Sequence, residues 1–223
     1  MIYAIAIDGP AGAGKSTIAK ILAKELELIY VDTGALYRTI GYYVTSKGIS
    51  TADTEAVVAA LPSLTVELKY VDGVQRVFAN GEDVSDLIRT PVISMAASAV
   101  SAIPAVRAYL LDTQRNIAAS HSVVMDGRDI GTVILPDAKV KIYLSASPEA
   151  RAQRRYDELQ AKGDPATYEE VLADMIKRDY DDMHREIAPL KQAEDAIPVD
   201  TSGETLEESV AKIKDIVYKK LAE

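Results

Sequence analysis

The sequence predicts an α/β fold: a five-stranded parallel sheet flanked by helices, with a small inserted antiparallel β-meander and a helical lid. A glycine-rich loop separates the short apolar run 2–7 from a segment of helical periodicity at 15–27. Further short apolar runs then alternate with helical segments, which is typical of parallel strands joined by helices. Two hairpin dipeptides, Asp72-Gly73 and Asn80-Gly81, interrupt that alternation and indicate the meander.

The glycine-rich loop, Gly9 to Ser16, matches the pattern G-x-x-x-x-G-K-[ST] in full. A strand, this loop and a helix form a phosphate cradle, because backbone N–H groups and the positive end of the helix dipole face the ligand. In such a cradle Lys15 reaches the β- and γ-phosphates, and the Ser16 hydroxyl binds Mg²⁺. The predicted ATP phosphate-binding residues of the loop are Gly9, Pro10, Ala11, Gly12, Ala13, Gly14, Lys15, Ser16 and Thr17.

Four further apolar runs complete the predicted sheet, at 28–31, 123–126, 140–144 and 197–200. Pro198 indicates an edge or a strand start, because proline cannot donate to a ladder. Ligands of such sheets bind at the carboxyl ends of the strands, so the Asp32-Thr33-Gly34 edge is expected beside the glycine loop. The strand that ends at Asp126 resembles a Walker B element, which makes Asp126 a candidate second Mg²⁺ ligand.

Residues 62–92 are expected to form the three-stranded meander, inserted into one main domain that spans 1–223. Asp-Gly and Asn-Gly favour tight hairpins because both central residues need a positive φ. The segment 64–71 alternates apolar and polar residues, as a half-buried strand does. The meander carries no chemical motif, and its role is left open.

Helices are predicted at 36–45 and 104–119, after the Ser147-Pro148 start, and after the capping box of Thr167 and Glu170. A final helix is predicted to bury one apolar face, which consists of Leu206, Val210, Ile213, Val217 and Leu221. A hinge sequence, Gly163-Asp164-Pro165, lies between two of these helices. Residues 151–168 are therefore predicted to form a mobile lid.

Composition limits the function classes. The chain has 223 residues, no cysteine, two histidines and a net charge of −9. These counts exclude disulfides and thiolate chemistry and disfavour a histidine metal site. The negative charge argues against binding nucleic acid or an anionic membrane surface. No apolar run approaches the roughly 20 residues that cross a bilayer, and the N-terminus shows no signal sequence, so we expect a cytoplasmic protein.

The arginines fall mainly at predicted strand ends and on particular helix faces. There they could neutralise the negative charge of a phosphoryl group during its transfer. Arg151, Arg154 and Arg155 share one face of the predicted lid, which alternatively is a solvated face paired with Glu149 and Glu158. Arg178, Asp182 and Arg185 share another helix face. That face could bind a sugar and a phosphate together, or it could hold an ordinary surface ion pair.

Four motifs stand in the order and spacing of bacterial cytidylate kinases, which the chain resembles over essentially its whole length. They are Gly9–Ser16, Asp32-Thr-Gly-Ala-Leu-Tyr-Arg38, Asp126-Gly-Arg-Asp-Ile-Gly-Thr132 and Arg178-Asp-Tyr-Asp-Asp-Met-His-Arg185. The resemblance implies a P-loop kinase that transfers the γ-phosphoryl group of ATP to CMP or dCMP with Mg²⁺. It also implies catalytic roles for Lys15, Arg128, Arg151, Arg155 and Arg185, and contact of Arg154 with the ATP phosphates.

The acceptor site implied by the resemblance has three parts. Ser98, Arg107 and Asp129 bind cytosine, Arg38, Arg128 and Arg185 bind the acceptor phosphate, and Arg178 and Asp182 bind the sugar, with Tyr37 lining the site. Thr33 belongs to the same set, although many relatives carry serine there. The hydroxyl is kept, and the added methyl group changes the space around it.

Three alternatives follow from the same residues. Another P-loop kinase, acting on UMP, dTMP or a small metabolite, could use the same loop and lid. A regulatory GTPase would need an Asn-Lys-x-Asp motif, and the sequence has none. A non-catalytic nucleotide-binding module would not need Lys15, Ser16 and the arginines together. We expect a monomer whose partners are ATP and CMP or dCMP, while the adenine contacts and a preference between CMP and dCMP stay open.

Overall fold

The computed structural model of the protein describes residues 2–71 and 74–223. The chain forms two compact units: the first extends to Tyr30 and resumes at Ala118, and the second comprises Val31–Ile117. The strands are β1 (Ala4–Asp8), β2 (Ile29–Asp32), β3 (Val66–Val71), β4 (Val74–Ala79), β5 (Glu82–Asp83), β6 (Val123–Gly127), β7 (Val140–Ser145) and β8 (Ile197–Asp200). The α-helices are α1 (Lys15–Glu25), α2 (Thr33–Ser46), α3 (Thr54–Ala60), α4 (Pro91–Ser101), α5 (Pro104–Ser120), α6 (Pro148–Gln160), α7 (Tyr168–His184) and α8 (Leu206–Ala222).

The first unit is built on the predicted five-stranded parallel sheet, in the order β2-β6-β1-β7-β8. β1 lies in the centre, paired in parallel with β6 on one side and β7 on the other, and Asp8 is level with Gly127 of β6. Pro198 lies in the edge strand β8, where its missing N–H breaks no ladder. Buried apolar side chains of β1 and α1 pack with those of β7 and α8 in one core, among them Ile7, Ile18, Leu144, Ile213 and Val217.

The second unit holds the predicted meander, an antiparallel sheet in the order β3-β4-β5. Asn80 and Gly81 have φ values of 50° and 83°, as the predicted hairpin between β4 and β5 requires. The turn predicted at Asp72-Gly73 lies outside the described residues. Val66 and Val77 of the meander pack with Leu36 and Ile40 of α2 in the core of this unit.

Several elements were not expected from the sequence. α3, α4 and a π-helix at Ile130–Ile134 have no counterpart in the predictions. The apolar face predicted for the last helix is wrong at its first residue, since Leu206 is exposed while Ile213 and Val217 are buried. A capping box of Thr205 and Glu208 starts α8 at Leu206, so this first-turn side chain faces solvent instead of the core.

Within the described ranges no single helix is long and apolar enough to cross a bilayer. The bent pair α4 and α5, with 98° between its helices, reaches the required length and composition together.

Candidate active site

The glycine loop follows β1 and has the backbone geometry of a phosphate cradle. Gly9 has a φ of 149°, and a Cβ there would lie 1.9 Å from the carbonyl oxygen of Leu144, so glycine is required at this position. Gly14 caps α1 in the left-handed conformation, and no side chain of the described structure caps this helix start. No side-chain cap therefore competes at this helix start with the phosphate that the loop motif predicts.

Lys15 is buried at the start of α1 and donates from Nζ to the carbonyl oxygen of Pro10 at 2.6 Å. Burial lowers the pKa of Lys15 well below its usual value, and the charge of Arg128 lowers it further. The carboxylates of Asp126, Asp8 and Asp182 oppose this shift. The pKa of Lys15 therefore depends on charges of β1, β6 and α7, which are far apart in sequence.

Ser16 and Asp126 meet at the carboxyl edge of the sheet. The Ser16 hydroxyl donates to Asp126 Oδ2 at 2.8 Å, and the Tyr30 hydroxyl donates to Asp126 Oδ1 at 2.9 Å. A hydroxyl and a carboxylate are the oxygen donors that Mg²⁺ prefers. In the described part of the chain no group of three or more His, Cys, Asp or Glu could hold a metal alone. This pair therefore fits an ion that takes its other ligands from phosphate and water.

The predicted acceptor residues of the first unit form one ionic network. Arg128 Nε donates to Asp182 Oδ2 at 2.8 Å, and Arg185 Nη2 lies 3.4 Å from Asp129 Oδ1. Burial alone would raise the pKa of Asp182, but the charges of Arg128, Arg178 and Arg185 hold it below its usual value. The side chains of Asp182 and Arg185 are each 7% exposed, so their contact is not a surface ion pair. The alternative of an i,i+4 pair between Arg178 and Asp182 stays open.

Arg151 is buried, so the alternative of a solvated face is wrong for this residue. Its side chain is 2% exposed and forms a buried ion pair with Asp179 of α7. The same guanidinium donates to the carbonyl oxygens of Ala146 and of Ala11 in the glycine loop, both at 2.8 Å. Arg151 therefore joins the loop to α6 and α7.

The other two arginines of α6 are less buried. Arg154 donates to the carbonyl oxygen of Thr201 at 2.8 Å, and Arg155 pairs with Glu158 at 3.0 Å, as the solvated-face alternative expected. A cleft of about 390 Å³ lies beside the glycine loop. Its lining includes Gly12–Ile18, Arg154, Glu158, Thr201, Glu204, Thr205, Leu206 and Ser209.

The second unit places its predicted residues around Asp32 and along α4 and α5. Arg38 and Arg89 donate to the same oxygen of Asp32, at 2.9 and 3.0 Å. Burial would raise the pKa of Asp32, yet these two charges lower it overall. Thr33 is buried in the first turn of α2, which Asp32 caps through the Ala35 N–H.

Tyr37, Arg107 and Ser98 lie in the same unit. The Arg107 guanidinium lies 5.6 Å from the centre of the Tyr37 ring and donates to the Ser101 carbonyl oxygen at 3.3 Å. Ser101 in turn donates from its hydroxyl to the Ser98 carbonyl oxygen at 2.8 Å. Ser98 is half-buried on α4.

Three charged residues of these networks were missed by sequence reasoning. Asp8 accepts the Ile130 and Gly131 N–H groups, each at 2.7 Å. Asp179 pairs with Arg151, and Arg89 with Asp32. Asp8 carried a detectable signal, since it ends β1 directly before the loop. Arg89 and Asp179 carried none, because their partners are 57 and 28 residues away.

Comparisons with known proteins match the whole chain. A family model described as cytidylate kinase matches residues 5–219. The cytidylate kinase of Carboxydothermus hydrogenoformans is 50% identical over 216 residues, 97% of both chains. That of Lactobacillus gasseri is 49% identical over 216 residues, 97% of this chain and 94% of the relative.

A structural comparison concerns the fold alone. An uncharacterized protein from Eubacterium ventriosum superposes with a TM-score of 0.50 at 13% identity, covering 96% of this chain and 98% of the other. Two sequences so different share an α/β architecture.

Proposed function

Because this chain belongs to the cytidylate kinase family, we propose that it transfers the γ-phosphoryl group of ATP to CMP and dCMP. The observation that carries the proposal is the pair of contacts that join the glycine loop to β6 and α7. Ser16 donates to Asp126 at 2.8 Å, and Arg151 binds both the Ala11 carbonyl oxygen and Asp179. These contacts bring the donor loop next to the ionic network of β6 and α7. One enzyme site needs both, since phosphoryl transfer requires donor and acceptor in line.

The donor half consists of the glycine loop and its neighbours. Loop N–H groups and Lys15 bind the ATP phosphates, which replace the Pro10 carbonyl oxygen as the partner of Nζ. Ser16 and Asp126 would hold Mg²⁺, which would supply positive charge to neutralise the phosphates. Arg154 would contact the ATP phosphates from the rim of the cleft.

The acceptor half uses arginines already held by carboxylates. Arg128, which is half-buried, pairs with Asp182, and the Arg185 side chain, which is 7% exposed, pairs with Asp129, so each is oriented before an acceptor phosphate arrives. We assign Arg38 to the same phosphate and Arg178 with Asp182 to the sugar, on the basis of the family match. The acceptor is already an anion, so catalysis needs positioning and charge neutralisation, and no strong general base.

Base selection is assigned to Asp129, Ser98 and Arg107. Cytosine presents an exocyclic amine, which a carboxylate accepts, whereas uracil presents a carbonyl oxygen, which a carboxylate repels. A site built around this hydrogen bond rejects an analogue that cannot make it, since its buried carboxylate would lose a partner. The buried carboxylate of Asp129 therefore favours CMP and dCMP over UMP.

We propose that residues 151–168 form the lid and that Arg155 lies on the part that moves. Arg151, fixed by its buried ion pair with Asp179, is assigned to holding the glycine loop in place. The protein is proposed to act as a cytoplasmic monomer without nucleic acid or membrane partners, in keeping with its net charge of −9.

An ATP-dependent kinase assay across CMP, dCMP, UMP, dTMP and AMP tests the proposal. We expect kcat/KM for CMP to exceed that for UMP by at least about 100-fold. Asp129→Asn should narrow this ratio, because an amide can turn its N–H₂ towards the uracil carbonyl. Equal values for CMP and UMP in the native enzyme would contradict the assignment of Asp129. No turnover with any monophosphate would leave a binding module as the better explanation.

A further inference from the structure

Asp8 is a buried carboxylate that neither the glycine-loop motif nor the acceptor set includes. It ends β1 and directly precedes Gly9. Its two oxygens each accept one backbone N–H, Oδ1 from Ile130 and Oδ2 from Gly131, both at 2.7 Å. A carboxylate that accepts two parallel N–H groups orients that backbone more strongly than a neutral side chain would.

The accepted N–H groups begin the π-helix Ile130–Ile134. First-turn N–H groups of a helix have no partner within the helix, and Asp8 supplies one for two of them. The residue before this helix is Asp129, and the residue before that is Arg128.

The segment 127–131 is therefore held at both ends by the same strand. Gly127 is paired with Asp8 in the β1–β6 ladder, and the Asp8 carboxylate holds Ile130 and Gly131. Arg128 and Asp129 lie between these two attachments. Gly131 fits closely, because a Cβ there would lie 3.1 Å from Lys141 Cδ and 3.4 Å from Asp8 Oδ2.

We propose that Asp8 is a positioning residue for the acceptor nucleotide: it holds the backbone that carries Arg128 and Asp129 in register with the glycine loop. The inference rests on the proposed function, since it takes Arg128 and Asp129 as contacts of CMP. The proposed role needs no contact of Asp8 with either substrate. Asp8 acts through the 127–131 backbone, while its place before Gly9 ties that backbone to the donor loop.

Asp8→Asn tests this role, because the amide keeps the size of the side chain but can accept only one of the two N–H groups well. We expect KM and the calorimetric Kd for CMP to rise roughly 10- to 100-fold, the effect of losing a charged hydrogen bond. The KM for ATP should change less than about 3-fold. Asp8→Glu should not restore CMP affinity, because its longer side chain displaces the carboxylate.

Two further variants separate positioning from stability. Ile213→Val truncates the core on α8, away from residues 127–131, and should lower the urea concentration at half-unfolding with an unchanged KM for CMP. Gly131→Ala disturbs the same backbone from its other end and should also raise the KM for CMP. If Asp8→Asn does not fold, the KM values of Gly131→Ala for CMP and for ATP test the proposal in its place.

Native turnover with CMP is measured first. Its absence would overturn the proposed function and this inference together. Native turnover with an unchanged KM for CMP in Asp8→Asn would overturn the inference alone. An equal rise in the KM values for ATP and CMP would also overturn it, because Asp8 would then shape the glycine loop instead of the acceptor backbone.

Discussion

Ser16 Oγ and Asp126 Oδ2 are joined by a 2.8 Å hydrogen bond that links the first turn of α1 to β6. Tyr30 holds the second oxygen of the same carboxylate at 2.9 Å. In the proposed function Ser16 and Asp126 hold Mg²⁺ together, so the carboxylate would both bind the ion and orient the hydroxyl. The motif residue and the strand-end aspartate are therefore one structural unit, although 110 residues separate them.

Asp126→Asn should raise the Mg²⁺ concentration needed for half-maximal kinase activity by roughly 10- to 100-fold, because the orienting charge is lost. A Mg²⁺ titration at fixed ATP and CMP measures this. Tyr30→Phe is the matched control, since it removes a neutral hydrogen bond to the same carboxylate and should shift the midpoint far less. An unaltered Mg²⁺ midpoint in Asp126→Asn would rule out a role for Asp126 at the metal.

Lys15→Ala should lower kcat by roughly 100- to 1,000-fold, as removal of one transition-state donor does. The calorimetric Kd for CMP should stay within about 2-fold, because the acceptor arginines keep their carboxylate partners. Lys15→Arg keeps the charge but not the compact ammonium head, and should stay well below native kcat. Lost CMP affinity with native turnover at saturating CMP would be the opposite of this expectation.

The buried pair of Arg151 and Asp179 should behave asymmetrically in stability measurements. Asp179→Leu leaves an unpaired buried charge and should lower the free energy of unfolding by about 3–5 kcal/mol. The double variant Arg151→Met with Asp179→Leu should recover most of that loss, because both buried charges are gone. Urea unfolding compares the two. If the single variant were as stable as the double, Arg151 would not depend on Asp179.

Asp8 should make the free energy of unfolding fall as pH rises, which is the reverse of the effect of a carboxylate whose pKa is lowered by folding. Burial raises the pKa of Asp8 from 3.8 to about 6, and the charge of Asp129 adds to this rise. The hydrogen bonds from Gly131 and Ile130 and the charge of Lys15 lower the pKa and oppose it. Between these two pKa values the folded state binds more protons than the unfolded state, so the contribution of Asp8 to stability is full below about pH 4 and falls as pH rises.

The stability of the native protein minus that of Asp8→Asn should therefore fall by about 3 kcal/mol from pH 3 to pH 7, at 1.36 kcal/mol per pKa unit. Urea unfolding of both proteins at a series of pH values measures this difference. The variant lacks the titrating group, so other residues cancel in the subtraction. A difference that stays constant or rises with pH would contradict the raised pKa.

Local patterns predicted most of the secondary structure. The hairpin at Asn80-Gly81, the Ser147 cap and the Thr167–Glu170 capping box all occur as expected. The failures are equally physical. The π-helix at Ile130–Ile134 depends on Asp8, a partner more than 120 residues away, so no local pattern indicates it.

In the candidate site, too, contiguous motifs were predicted from the sequence, and contacts between distant residues were not. Gly9 to Ser16 is a contiguous motif, so its residue types alone imply a phosphate cradle, and the later motifs imply the acceptor. Whether an arginine is exposed or forms a buried ion pair depends on how the helices and strands pack around it. Only packing in three dimensions places Arg151 on Asp179 and Ala11, and Asp8 beneath Ile130 and Gly131.

The order of motifs along the chain was therefore enough to identify the fold class and the chemistry of the loop, because hydrophobic period and glycine geometry act within a few residues. The partners of buried charges came from the tertiary structure. A carboxylate removed from water is stabilised by whichever donors the packed strands bring to it, and sequence distance does not limit that choice.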